Sequence, residues 1–199
     1  MSDGPTARQA RIDRETRETK VGLALDLGGG EVAPETGIGF FDHMLELLGR
    51  HANVGLAVRA SGDLATGGHH TVEDVGIALG QALDRALGDR AGIERYGAAL
   101  VPMDECLVQA AIDISGRPFV ACHVALPATV VGGFETDLLE EFLRGVANHA
   151  KLALHLRVLA GENPHHVIEA CFKAFARALR AAVTPNLRAP CVPSTKGSL

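Results

Sequence analysis

The chain has 199 residues, 47% of them hydrophobic, and carries a formal net charge of −5 with its histidines neutral. That is enough apolar material to bury a real core, as one domain or two closely packed halves, while the acid excess argues against a general nucleic-acid binder. No apolar run approaches membrane-spanning length, and the polar opening MSDGPTARQARIDRETRETK has no signal-peptide core, so a cytoplasmic protein is expected.

Taken in chain order, the opening is a charged, alternating segment in which a surface ion pair is the default reading of Glu18. KVGLALDL (20–27) alternates as a strand, and EVAPETGIGFF is a Gly- and Pro-marked connection. FFDHMLELLGRHA has helical spacing at Phe41, Met44, Leu45 and Leu48, and VGLAVRASGD reads as a strand. After the Gly-rich approach ATGGHH comes the longest helical pattern, with Val75, Leu79, Ala82, Leu83 and Leu87 on one face and Gly88 as its stop. The second half repeats this order. Strands are expected around Cys106–Ser115 and Phe119–Leu126, a helix over Thr136–His149, a strand over Ala153–Leu159 and a helix over His165–Val183. The tail TPNLRAPCVPSTKGSL is Pro- and Gly-rich, either disordered or a functional arm. Cys106, Cys122, Cys171 and Cys191 are widely spaced, without a C-x-x-C pair, and read as reduced, mostly buried thiols.

Each half carries the pentad His-His-x-x-Glu: His69, His70 and Glu73, then His165, His166 and Glu169. On a helix, adjacent histidines project about 100° apart, and the glutamate three and four residues on falls near both. Two such imidazole–carboxylate clusters point to a metal site with more than one ion. Capped, solvent-facing histidines at helix N-termini would have to arise twice at equivalent positions to give the same pattern.

The duplication extends further. FFDHMLELLGRHANVGL (40–56) aligns with LLEEFLRGVANHAKLAL (138–154), which sets His51 on His149 and Glu141 opposite His43. In the same comparison KVGLALDL falls on PFVACHVA (118–125), and IALGQALDRAL on FKAFARALRAA. The expected architecture is α+β, an internally duplicated unit with a small, mostly antiparallel sheet in each half and helices on one face. Residues 1–98 form the first half, 99–186 the second and 187–199 a C-terminal arm over the active site, the halves making one compact domain. His51 and His149, at helix ends, suit a dipole or packing role, and His123 and His155 sit in strand patterns as structural residues.

The ordered set RETRETKV, FFDHM, HHTVED, MDECL, DISGRP, LAGENPHHVIEACFKAFARALR and PSTKGSL resembles the imidazoleglycerol-phosphate dehydratase family of histidine biosynthesis. The resemblance covers nearly the whole chain. It implies a ribosomal protein S5 domain 2-like unit, doubled, with two Mn²⁺ ions per active site, trimers that form the sites and a 24-subunit assembly. It also implies dehydration of D-erythro-imidazole glycerol phosphate to imidazole-acetol phosphate, through a metal-held imidazolate and a diazafulvene-like intermediate.

The two pentads with His43 and Glu141 make eight candidate ligands, four to each ion, and an octahedral Mn²⁺ would keep about two positions open. By analogy His43, His70, Glu73 and His166 hold one ion, and His69, Glu141, His165 and Glu169 the other. Some family members carry His where this chain has Glu141, whose other reading is a solvated helix acid beside Glu140. For proton transfer the resemblance gives Glu18 first and Asp104 second, with Glu169 also among the catalytic groups. Glu18, His43, His69 and His165 are expected to contact substrate. Arg95, Arg117, Ser194, Thr195 and Lys196 match the phosphate-contacting positions, where an arginine fork and a lysine point charge suit an anion. Two other readings stay open on residues alone: a dinuclear hydrolase, and a non-enzymatic protein in which metal staples subunits together.

Overall fold

The computed structural model describes residues 8–197 and 199; the reading of the first seven residues, and Ser198 of the terminal motif, lie outside them. The first half runs β1 (Gln9–Glu15), β2 (Thr19–Asp26), β3 (Val32–Glu35), α1 (Gly39–Ala52), β4 (Gly55–Gly62) and α2 (His69–Leu87). The second runs β5 (Tyr96–Met103), β6 (Cys106–Asp113), β7 (Phe119–His123), α3 (Leu138–Ala150), β10 (Ala153–Ala160) and α4 (Pro164–Val183), with a small hairpin, β8 (Val130–Val131) and β9 (Phe134–Glu135), between β7 and α3.

The expected α+β class holds, and the duplication is visible in the strand order. One sheet is β1-β2-β4-β3 and the other β5-β6-β10-β7, each with a single parallel pair, β3 with β4 and β7 with β10. Those parallel pairs need a crossover connection, which α1 and α3 supply. The order also corrects the alignment above. The counterpart of β2 is β6, whereas PFVACHVA holds β7, the counterpart of β3. Both segments alternate apolar residues, and the β8–β9 hairpin inserted ahead of α3 shifts the spacing that separates them.

Sequence pattern accounts for the elements. In β2 the burial alternates without a break, with Val21, Leu23 and Leu25 inward. α1 buries Phe41, Met44, Leu45 and Leu48 on one stripe and ends at Asn53, which takes a left-handed conformation as its counterpart Lys151 does after α3. Helices cover one face of each sheet and interlock across the halves: α1 packs on α4, and α2 on α3. The α2–α3 crossing is so close that a Cβ at Gly76 would lie 2.6 Å from the Phe142 carbonyl oxygen, and one at Gly80 2.5 Å from that of Val146. A single core cluster runs through both halves.

The second turn of α2 is tied to its sheet by buried Asp74, which accepts from Arg14 Nε at 2.8 Å and from the Thr19 hydroxyl. The turn between β1 and β2 is thereby held beside the first pentad. Cys106 and Cys171 are buried, Cys122 half-buried and Cys191 exposed, all as free thiols. Among the described residues no helix is long and apolar enough to cross a membrane.

Candidate active site

Each pentad opens a helix. α2 starts at His69 directly after Gly68, and α4 starts at Pro164, where the Asn163 side chain accepts from the His165 N–H at 3.0 Å. The two copies have the same internal geometry. Adjacent rings stand nearly perpendicular, at 85° and 5.9 Å for His69 and His70 and at 88° and 6.0 Å for His165 and His166. The glutamate, however, serves only the first histidine of each pair. His69 Nε2 lies 3.8 Å from Glu73 Oε2, and His165 Nε2 lies 3.3 Å from Glu169 Oε2. Loop carboxylates reach the second histidines instead: His70 Nδ1 lies 3.1 Å from both oxygens of Asp63, and His166 Nδ1 lies 2.8 Å from Glu105 Oε2.

These pairs set the local electrostatics. The hydrogen bond to Asp63 is the largest influence raising His70 above its ordinary value, and Asp63 is lowered in turn. His166 is raised in the same way, first by Glu105. Glu105 is held down to about 2 by hydrogen bonds from His166 and from the Asn163 N–H.

α1 crosses α4 at the second pentad. His43 Nε2 stands 3.9 Å from Glu169 Oε2, and the Phe40 ring meets His165 edge-on at 5.0 Å. Glu169 is only 8% exposed and takes Lys173 Nζ at 2.7 Å. Burial works to raise its carboxyl, but Lys173, His43 and His165 hold it below its ordinary value. Glu141, at the matching place on α3, makes no hydrogen bond or ion pair with either pentad among the described residues. It borders a concavity with Cys122, Leu126 and Thr136, beside Glu140, which pairs with Arg144 at 3.0 Å.

Glu18 lies in the β1–β2 turn, where Thr16 Oγ1 accepts from its N–H at 3.2 Å and from that of Thr19 at 3.0 Å. Its Oε2 is 3.8 Å from His70 Nε2, and its side chain is 55% exposed. Asp104 occupies a left-handed position (φ 49°) in the β5–β6 turn and makes no side-chain hydrogen bond among the described residues; the neighbouring Glu105 does the contacting.

The phosphate candidates gather at the other end of α4. The Arg95 N–H donates to the Ala182 carbonyl, and the Arg95 guanidinium forks onto Asp113 at 2.7 and 3.2 Å. A third bond, 2.8 Å to the Pro193 carbonyl, pins the tail just before Ser194. Ser194 closes a turn by accepting from the Lys196 and Gly197 N–H groups, with Thr195 and Lys196 exposed. Leu199 packs against Gly116, beside Arg117.

The imidazoleglycerol-phosphate dehydratase family model matches residues 36–179. The chain belongs to that family. It is 55% identical over 194 residues to the imidazoleglycerol-phosphate dehydratase of Dinoroseobacter shibae, covering 96% of this chain and 100% of the relative. It is 53% identical to that of Moorella thermoacetica, covering 97% and 99%. Among solved structures, the Staphylococcus aureus dehydratase matches with a TM-score of 0.82 and 38% identity over 89% of this chain and 99% of that one. The Pyrococcus furiosus protein matches with a TM-score of 0.82 and 36% identity over 94% and 100%. The chain is a hydro-lyase of histidine biosynthesis.

Within this dehydratase chain, the structure brings together His43, His165 and Glu169, His69 and Glu73, and His70 and Glu18. His43 thus stands beside a glutamate that the resemblance assigns to the other ion. Among the described residues no group of three or more His, Cys, Asp or Glu is arranged to hold a metal ion within one chain. A 620 Å³ concavity lies on the open face of the first sheet, lined by Asp13, Arg14, Lys20, Glu35 and Arg59, and no pentad residue borders it. Asp63 and Glu105 escaped the sequence reading. The pairing of β2 with β6 carries the signal for Glu105, which precedes Cys106 as Glu18 precedes Thr19.

Proposed function

We propose that the chain dehydrates D-erythro-imidazole glycerol phosphate to imidazole-acetol phosphate at sites completed by neighbouring copies of itself. The observation that carries this reading is the paired pentad geometry: two equivalent helix N-termini, each presenting a half-exposed histidine beside its glutamate, with the second histidine fixed through Nδ1 by a carboxylate. Holding Nδ1 leaves Nε2 as the ligating nitrogen, the usual arrangement behind metal-binding imidazoles. The donor set fits two ions of the Mn²⁺ type, which accept mixed imidazole and carboxylate ligation. His43, His69, His70, Glu73, Glu141, His165, His166 and Glu169 would hold them, Glu141 through its match to His43. Bound metal would supply Lewis-acid polarisation of the substrate's imidazole ring.

Distances support assembly. His165 lies at the start of α4 and Arg95 is bonded to its end, and a helix of 20 residues is about 30 Å long. One small substrate cannot span from the pentad to Arg95, Arg117, Ser194, Thr195 and Lys196 of the same chain. A site that uses both must draw them from different subunits, in keeping with trimers that build a 24-subunit particle.

In the reaction the substrate loses its C3 hydroxyl as water and its C2 proton, and the enol tautomerises to the ketone. Glu18 moves the proton. It is solvent-reachable beside the first pentad, and its side chain makes no hydrogen bond among the described residues. Glu169 orients His43 and His165, while Asp104 makes no hydrogen bond or ion pair with either pentad among the described residues. Arg95 holds the tail in place, and Arg117 and Lys196 are the cations left for phosphate.

The test is formation of imidazole-acetol phosphate by protein stripped of metal and reloaded with Mn²⁺. Metal-dependent product in the wild type, with turnover lost in Glu18→Gln at unchanged assembly size, is the expected result. Stoichiometric metal binding without product sinks the substrate assignment.

A further inference from the structure

We infer that Glu105 is a positioning residue for the metal-ligating nitrogen of His166, doing for it what Asp63 does for His70. The inference rests on the metal reading above and adds a residue to it. Glu18 and Glu105 are structural counterparts, each preceding the first residue of the second strand in its sheet. Both face the second histidine of their own pentad, yet they do so differently. Glu18 Oε2 stays 3.8 Å from His70 Nε2, whereas Glu105 Oε2 takes His166 Nδ1 at 2.8 Å and its Oε1 takes the Asn163 N–H at 3.1 Å.

The difference begins one strand away. β4 and β10 start opposite Asp26 and Asp113, but β10 carries one extra residue between Val158 and Ala160, so Gly161 is the counterpart of Gly62 and Glu162 that of Asp63. Asp63 holds His70 Nδ1. Its counterpart Glu162 is exposed and makes no hydrogen bond or ion pair with His166 among the described residues. The surroundings confirm that register: a Cβ at Gly161 would meet Cys106 Sγ and Val167 Cγ2, as one at Gly62 would meet the equivalent Thr19 and Thr71. The carboxylate on His166 Nδ1 comes instead from the β5–β6 turn. Each half therefore spends one acid on its second histidine. The first half has a glutamate left over, and that is Glu18. In the second half both carboxylate oxygens of Glu105 are engaged inside the chain, so Glu105 is not a second copy of the proton-transfer group.

Metal affinity separates these roles. Mn²⁺ binding to metal-stripped protein, measured by competition with a chelator, is expected to weaken by about 10–100-fold in Glu105→Ala and in Asp63→Ala. Glu18→Gln is expected to bind as the wild type does. Glu105→Gln, which keeps an oxygen for the Nδ1–H, is expected to recover part of the loss and, at saturating Mn²⁺, to retain most of its turnover. It also carries the test should Glu105→Ala melt below assay temperature. Wild-type affinity in Glu105→Ala, or loss of turnover at saturating metal in Glu105→Gln, overturns the inference. A wild type that binds no Mn²⁺ overturns the metal reading beneath it, a result distinct from either.

Discussion

His43 on α1 and Glu169 on α4 approach to 3.9 Å, although they come from opposite halves of the chain. The contact exists because the helices interlock, so the second pentad is built on the seam between the repeats. Glu169 is also the least exposed pentad residue and neutralises Lys173 at 2.7 Å.

Glu169→Gln should therefore damage stability as well as function. Stranding the mostly buried Lys173 ammonium is expected to cost about 1–3 kcal/mol, read from urea unfolding of metal-free protein. Adding Lys173→Met should restore that stability while leaving Mn²⁺ binding impaired. Equal metal affinity in the double variant and the wild type would count against Glu169 as a ligand.

Removing metal should act on assembly. If ligands from different subunits share ions, chelation is expected to shift the light-scattering mass toward smaller species, and Mn²⁺ to restore it. An unchanged mass would mean that protein contacts alone hold the particle together.

The α2–α3 crossing leaves no room for a methyl group. Gly76→Ala is expected to lose about 1–3 kcal/mol, because the new Cβ meets a backbone oxygen rather than a movable side chain. Thermal melting reads this directly. A melting temperature equal to that of the wild type would show that the helices can part without penalty.

Asp113 braces Arg95, which in turn pins Pro193. Asp113→Asn should loosen the tail, raising the substrate KM more than it lowers kcat and speeding tryptic cleavage at Lys196. Unchanged cleavage would separate the tail from this brace.

His51 is pushed below its ordinary range, first by burial and then by Lys173 and Arg177. Its folded value lies under its unfolded one, so the stability it contributes is fully present above about pH 6.5 and is lost as pH falls through that value toward the folded one. His51→Gln should flatten the decline of the melting temperature from about pH 7 to pH 5.

The four helices and the inner strands β2, β4, β6 and β10 were legible because their inward residues keep strict periods. β1 was hidden by charge: Arg11, Asp13 and Arg14 surround a single buried Ile12. β3 is four residues long and includes Pro34, which an edge strand tolerates, and β5 was missed beside the stronger pattern of β6. The pentads could be read from spacing alone. Asp63 and Glu105 could not, since what brings them to the histidines is strand register and the placing of two loops, neither of which is written locally.

The interlocked helices also bear on how such a chain arose. A half-length ancestor could not cover its own apolar helix faces, but two copies exchanging helices as α1 with α4 and α2 with α3 would bury them in a twofold dimer. Fusing the copies turned that symmetric interface into an intramolecular seam. It also released each copy from having to match the other, and the use of Asp63 for one second histidine and Glu105 for the other is what that release looks like in the present molecule.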